Sequence, residues 1–542
     1  GVADGFTGTE ASVTGGFTGI DQVIGSGATT DVLTSAIGGD ALWLLDTANV
    51  LEELGGNQQL TFSAVETLSG EATIDTFRFG AGASEALTLD GSTGANVIEG
   101  SLAADTFTIT AEDAGSVLVN GQTSTFSNVE ALNGRDGADS FTLGISGSLT
   151  GAIDGGLDSD TLTGPSTGAE FNVTGLNRGT LEDRAAAPNT LLNSGGAGDG
   201  FTNVENLAGD AGQDIFNVTL ATAALDGGIS GGGESDTITI GGNANVVSGA
   251  VAGDAGNDTI NLDDGADVTG GGVNGGAGND AINLAGDVDG DVDGGSEDDT
   301  FTLAIAATLN GVITGGTGND LIDGGDTSTV FSITGLNSGL LTGGRVNGFN
   351  TVESLAGGAG TDTFRFSVAG ELAGSVDGQG GADAIEGLDG DVDNVTLTGA
   401  DAGDASFATG GFTDVESLDL RDGADNVTLN DGSSLTGTLE GGAGSDTLIG
   451  PDTPATFNVT APDAGNVTGG ATVDDFRSFE NLTGGTDDDT FVVDADLTGA
   501  LNGGLGDDTL NLAADTTIGS VTNVENITLV VNGTDADDEI EI

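Results

Sequence analysis

The chain has 542 residues, 101 of them Gly, and 87 acidic residues against 8 basic ones for a net charge of −79. It contains no Lys, His, Cys, Met or Tyr, which excludes disulfides and thiolate metal sites and argues against nucleic acid and anionic membrane surfaces as partners, since both need bases to neutralise phosphate. Hydrophobic residues still make up 36% and recur periodically, so the Gly/Asp richness is not that of a disordered linker, and no apolar run is long enough to insert in a membrane.

From the N-terminus, residues 1–60 read as atypical coils. Within them 46–55 has the signature of a short helix, with Asp46 as cap, Val50, Leu51 and Leu54 on one face, and Gly55 as stop. A six-residue turn pattern ending in aspartate then runs through the chain. Its slots are Asp31, Asp75, Asn96, Asp139, Asp160, Asp214, Asp236, Asp258, Asp280, Asp299, Asp320, Asp362, Asp383, Asp425, Asp446, Asp489, Asp508 and Asp538. Most steps are about 21 residues or twice that, the longer being read as two periods with one unmarked turn; such a fixed period marks a solenoid.

The residue two places after each slot is large and apolar, as at Phe77, Phe141, Phe216, Ile260, Phe364 and Leu510, and the residue between is usually Thr. That alternation is a β-strand with its apolar face inward. A 21-residue step suits one coil of two or three short strands. The expected fold is therefore all-β: a single right-handed parallel β-helix, or β-solenoid, of about 25 coils with inward ladders about 4.8 Å apart.

Over 61–213 and again over 321–542 a longer rhythm appears. A Phe-x-x-Val-Glu-x-Leu phrase recurs at Glu66, Glu130, Glu205, Glu353, Glu416 and Glu480, mostly 63 or 64 residues apart, so three coils should form one module. The repetition gives these glutamates an architectural role, a hydrogen bond to the next coil's turn. Residues 177–200 exceed two coils and should project as a surface loop. Between 214 and 320 the modules give way to simple tandem coils of 19–22 residues. The end at Asp538–Ile542 reads as mid-strand, and the start at Gly1 as that of a processed product or a piece of something longer.

The best copies of the turn are Gly275–Asp280, Gly315–Asp320, Gly357–Asp362, Gly441–Asp446 and Gly503–Asp508, each Gly-Gly-x-Gly-x-Asp followed by x-apolar-x. This pattern resembles the RTX, or haemolysin-type, calcium repeat, and the whole chain looks like the RTX-like β-strand repeats of large bacterial and archaeal surface proteins. The resemblance implies calcium held between coils, outside the cell. The implied ligands are Asp214, Asp236, Asp258, Asp280, Asp299, Asp320, Asp362, Asp383, Asp425, Asp446, Asp489 and Asp508. Calcium takes six to eight oxygens in flexible geometry, which glycine carbonyls and aspartates of stacked turns can supply. RTX arrays carry such a turn on both sides of an 18-residue coil, whereas here it comes once per coil, so a full β-roll is not expected. The competing reading is a tight turn in which Asp satisfies backbone amides.

Other features weigh less. One turn, 316–320, matches the Gly-Thr-Gly-Asn-Asp string of ice-binding adhesins. Ten Asn-x-Thr sequons arise readily from Asn-Val-Thr strands. Arg78, Arg135, Arg365 and Arg421 occupy repeated slots, consistent with local charge relief. Carboxylate pairs of a polysaccharide-active β-helix enzyme should break the repeat at a unique cluster, and none does, so the expected protein is not an enzyme. The expectation is an extracellular, calcium-stabilised structural solenoid that self-associates into a filament, sheath or layer. Its rival is the rigid stalk of a calcium-dependent adhesin contacting cell-surface polysaccharide.

Overall fold

The computed structural model describes residues 6–8, 17–26, 31–35, 39–54, 59–184, 189–192, 200–242, 245–304, 307–342, 346–513 and 515–530. The chain is an all-β solenoid of parallel strand stacks, with no helix among the described residues. It divides into two compact units, residues 1–280 with 285–290, and residues 281–284 with 291–542.

In the first unit the tandem coils are the simplest part. Strands Ile215–Val218, Thr237–Ile240 and Thr259–Leu262 lie parallel and in register, so Phe216, Ile238 and Ile260 stack. A second stack aligns Leu207, Ile229, Val251 and Val273, and a third, of two-residue strands, aligns Leu225, Val247, Val268 and Val288. Every inward residue named from the period-two pattern is buried, Phe77, Phe141, Phe216 and Ile260 at 0% exposure. Phenylalanines of adjacent layers stack face to face, as Phe107 on Phe141 at 4.8 Å and Phe171 on Phe216 at 4.7 Å. These contacts add about 0.5–1.5 kcal/mol each beyond area burial.

The modules differ from the expected three parallel coils. Two coils are parallel, and the third is a three-strand antiparallel meander inserted in the same sheet. In the first unit Thr106–Ala111 reverses into Ala114–Val119, which reverses again into Gln122–Ser127. The outer two strands then join parallel neighbours, Ser140–Leu143 on one side and Thr88–Asp90 on the other. The middle strand alone runs backwards. Meanders also span 41–63 and 169–202 in this unit, and 330–350, 394–413 and 455–477 in the second. All but the 41–63 meander carry Asp or Asn at positive φ in the first corner: Asp113 (51°), Asn177 (51°), Asn337 (51°), Asp401 (49°) and Asp463 (53°). These are the non-glycine residues that best tolerate the left-handed region.

Two further expectations are corrected here. Residues 46–54 are not helical: Asn49–Glu53 is a strand, antiparallel to Ala41–Leu45 with Leu51 opposite Trp43, and Gly55, the expected stop, lies outside the described residues. The tight turn forms because Asp46 Oδ1 accepts the N–H groups of Thr47 (2.7 Å) and Gly82 (2.8 Å), and pairing buries Trp43 completely. In 177–200, Arg178–Asp183 is a meander strand and Asn189–Leu192 pairs with it, so these residues do not project as a loop. Residues 185–188, 193–199 and 531–542, with Asp538 and the chain end, lie outside the described residues.

In the second unit the same ladders run through Ile282, Phe301, Ile322, Leu355 and Val376. A further ladder runs through Val395, Val427, Leu448, Leu482 and Leu501.

The aspartate column as candidate site

The twelve aspartates expected to hold calcium are all buried, with exposures of 0–3%. They line up in columns one residue per layer, because the glycine-rich turn before each strand interrupts the parallel ladder there. The slot residue's N–H would be left without a partner, a cost of about 1–3 kcal/mol. The next layer's carboxylate supplies the acceptor.

In the first unit Asp214 N–H donates to Asp236 Oδ1, Asp236 to Asp258 and Asp258 to Asp280, each at 2.7 Å. In the second, Asp299 donates to Asp320 at 2.9 Å, and Asp362 to Asp383 and Asp425 to Asp446, both at 2.7 Å. Asp489 donates to Asp508 at 2.8 Å. The repeated glutamates close these runs. Oε2 of Glu66, Glu130, Glu205, Glu353, Glu416 and Glu480 accepts the N–H of Asp31, Asn96, Asp160, Asp320, Asp383 and Asp446, at 2.6–3.1 Å. The architectural role expected of them holds, with the bond reaching the preceding coil's turn rather than the next one's.

Sequence reasoning missed three members. Asp105 and Asp393 occupy slots after turns poor in glycine, and donate to Asp139 and Asp425. Glu525 accepts from Asp508 at 2.9 Å, and its Asn-Val-Glu-Asn-Ile setting was a readable copy of the glutamate phrase.

The second carboxylate oxygen divides the slots into two kinds. At Asp75, Asp105 and Asp489 the residue after the first turn glycine has negative φ and its N–H reaches Oδ2, from Glu71 (3.0 Å), Ser101 (2.6 Å) and Gly485 (2.6 Å), whereas at Asp214 the corresponding Asp210 also has negative φ and Oδ2 stays without a hydrogen bond. Where that residue has positive φ, its N–H is turned away. Gly156, Gly232, Gly316, Gly358, Gly442 and Gly504 lie at 94–112°. There Oδ2 of Asp160, Asp236, Asp320, Asp362, Asp446 and Asp508 is buried without a partner. Burial raises the pKa of this kind, to about 7 at Asp139 and Asp236 and to about 6 at Asp160, Asp320, Asp383 and Asp446. Like charges nearby add to the rise.

The slot carboxylates alone do not make a calcium site: each offers one uncommitted oxygen at most, against the six to eight the ion takes, and Oδ1 is committed to a backbone N–H. Among the described residues no group of three or more Asp, Glu, His or Cys could hold a metal. The motif's first glycine is needed for another reason: a β-carbon on Gly231, Gly253 or Gly357 would strike the slot carboxylate.

The arginines pair locally. Arg78 and Arg135 both approach Glu99, Arg135 at 4.0 Å, and Arg365 donates twice to Glu386 at 2.6 and 2.7 Å. Comparison with protein-family models and with curated proteins returns no match for this chain.

Proposed function

We propose that the chain is an extracellular structural protein, a β-solenoid that builds a surface filament, sheath or layer by association with further copies of itself. The observation that carries this reading is that the acidic repeats are spent on architecture. Both units use slot aspartates and phrase glutamates in the same way, to splice one layer's backbone to the next.

Calcium enters this proposal as a counter-ion of a chain with formal net charge −79, the slot aspartates being otherwise engaged. Two measurements test the reading. Electron microscopy of purified protein should show continuous fibres or sheets; isolated particles would sink self-assembly and favour the stalk of an adhesin. The thermal unfolding midpoint should fall when EDTA removes calcium, and an unchanged midpoint would remove calcium while leaving assembly standing.

A further inference from the structure

One column position carries an amide, and it shows what the others lack. Asn96 Oδ1 accepts the Asp75 N–H and its Nδ2 donates to the carbonyl of Asn128, both at 3.0 Å. Asn128 has φ of 53° and stands two residues before Glu130, whose Oε2 accepts the Asn96 N–H at 2.6 Å. Left-handed φ at Asn128 is what swings its carbonyl toward the column.

The same frame recurs at Asp160, Asp320, Asp383, Asp446 and Asp508, whose N–H groups donate to Glu205, Glu353, Glu416, Glu480 and Glu525. Two residues before each glutamate, Asn203, Thr351, Asp414, Ser478 and Asn523 have φ of 49–56°. A β-carbon on Gly91 would strike both Asn96 Nδ2 and the Asn128 carbonyl. One on Gly155, Gly315, Gly378, Gly441 or Gly503 would strike Oδ2 of its slot aspartate and the matching carbonyl. In the amide copy a donor faces an acceptor. In the five acidic copies two acceptors face each other, and Oδ2 is buried with no partner.

We propose that Oδ2 of Asp160, Asp320, Asp383, Asp446 and Asp508 carries a proton in the folded chain and donates it to that carbonyl. These slots are then neutral carboxylic acids at a pH where exposed aspartates are ionised. The charged groups around them are all acidic. They are Glu205, Asp158 and Asp154 at Asp160, and Glu353 and Asp298 at Asp320. Asp362, Glu416 and Asp377 surround Asp383, and Asp425, Glu480 and Glu440 surround Asp446. Asp489, Glu525 and Asp488 surround Asp508. No base stands among them to hold a carboxylate, and burial raises all five above the usual range.

Infrared spectroscopy of the full chain, with EDTA and at about pH 5.5, tests this, because an ordinary aspartate of pKa about 3.9 is ionised there. The folded protein should show the C=O stretch of protonated carboxyl groups, and unfolding in urea at the same pH should abolish it. The variant D160N/D320N/D383N/D446N/D508N should fold, as Asn96 does, and lose part of that band. Absence of the band in the folded protein would overturn the proposal, as would a band unchanged in the variant. A band that calcium or sodium erases at fixed pH would assign the gap to a cation instead. Single D446N guards against cumulative misfolding: a variant unable to fold would show that the position does not take a donor, which also refutes the proton.

Discussion

The turns leading into Asp446 and Asp489 start with the same Gly-Gly pair and bury the same residue, yet they use its carboxylate differently. At Asp489 both oxygens are occupied, Oδ1 by Ala455 N–H at 2.8 Å and Oδ2 by Gly485 N–H at 2.6 Å. At Asp446 Oδ1 accepts Asp425 N–H, but Gly442 sits at φ of 94° and Oδ2 has no donor. Between these two turns one backbone dihedral separates a carboxylate capped by two amides from one that needs a proton. Desolvation acts on both, and only at Asp489 do two donors oppose it.

The largest way to sharpen this contrast is pH, because many slots titrate together. Of the unpartnered kind, Asp139, Asp160, Asp236, Asp320 and Asp446 have folded values of about 6 to 7, above the ordinary 3.8. Their contribution is complete below the unfolded value and is lost as pH rises through 6 to 7. The unfolding midpoint should fall between about pH 4 and 7 and level off above that. Surface repulsion from the net charge has the same sign, so the scan belongs in high salt, where exposed charges are screened. A flat profile in high salt would erase the distinction between the two turns.

Second in size is removal of the carboxylate. Asp489→Ala orphans one buried amide, Ala455, and one half-buried amide, Gly485, whereas Asp446→Ala orphans one buried amide, that of Asp425. At about 1–3 kcal/mol per orphaned buried amide and less for the half-buried one, the first variant should cost more than the second. Hydrogen exchange at those three amides reads the loss locally, which suits a solenoid whose layers need not unfold as one. Equal losses would mean the Gly485 contact adds nothing.

How much of this was legible in the sequence follows from what a pattern encodes. Period-two alternation placed Phe77, Phe364 and Leu510 inward, because a strand's faces alternate whatever its direction. For the same reason it could not tell that Ala114–Val119 runs backwards. The clue lay in spacing: Phe107 to its parallel neighbour Phe141 is 34 residues, not 21. Without Asp105 in the column that step was absorbed into a doubled period. The glutamates were readable from repetition alone. The aspartates were not, since Gly-Gly-x-Gly-x-Asp looks the same whether the carboxylate faces an ion or folds over its own first glycine. In 46–55, the spacing of Val50, Leu51 and Leu54 fitted a helix, but burying Trp43 against Leu51 required the hairpin.

The smallest test isolates the dihedral itself. Gln379 precedes Asp383 in the unpartnered kind of turn and holds φ of 62° without being glycine. Glu71 precedes Asp75 in the capped kind and donates its N–H at 3.0 Å. Comparing Gly with Ala at each site cancels the loss of the native side chain. At 379 the left-handed backbone penalises a β-carbon by about 1–2 kcal/mol, which outweighs glycine's entropic cost of about 0.5–1 kcal/mol. Q379G should therefore melt above Q379A. At 71 only the entropic cost remains, so E71G should melt below E71A by about 0.5–1 kcal/mol. The contrast lies in the change of sign between the two sites. If Ala were the better residue at both, the two turns would share one backbone, and the second carboxylate oxygen would need another explanation.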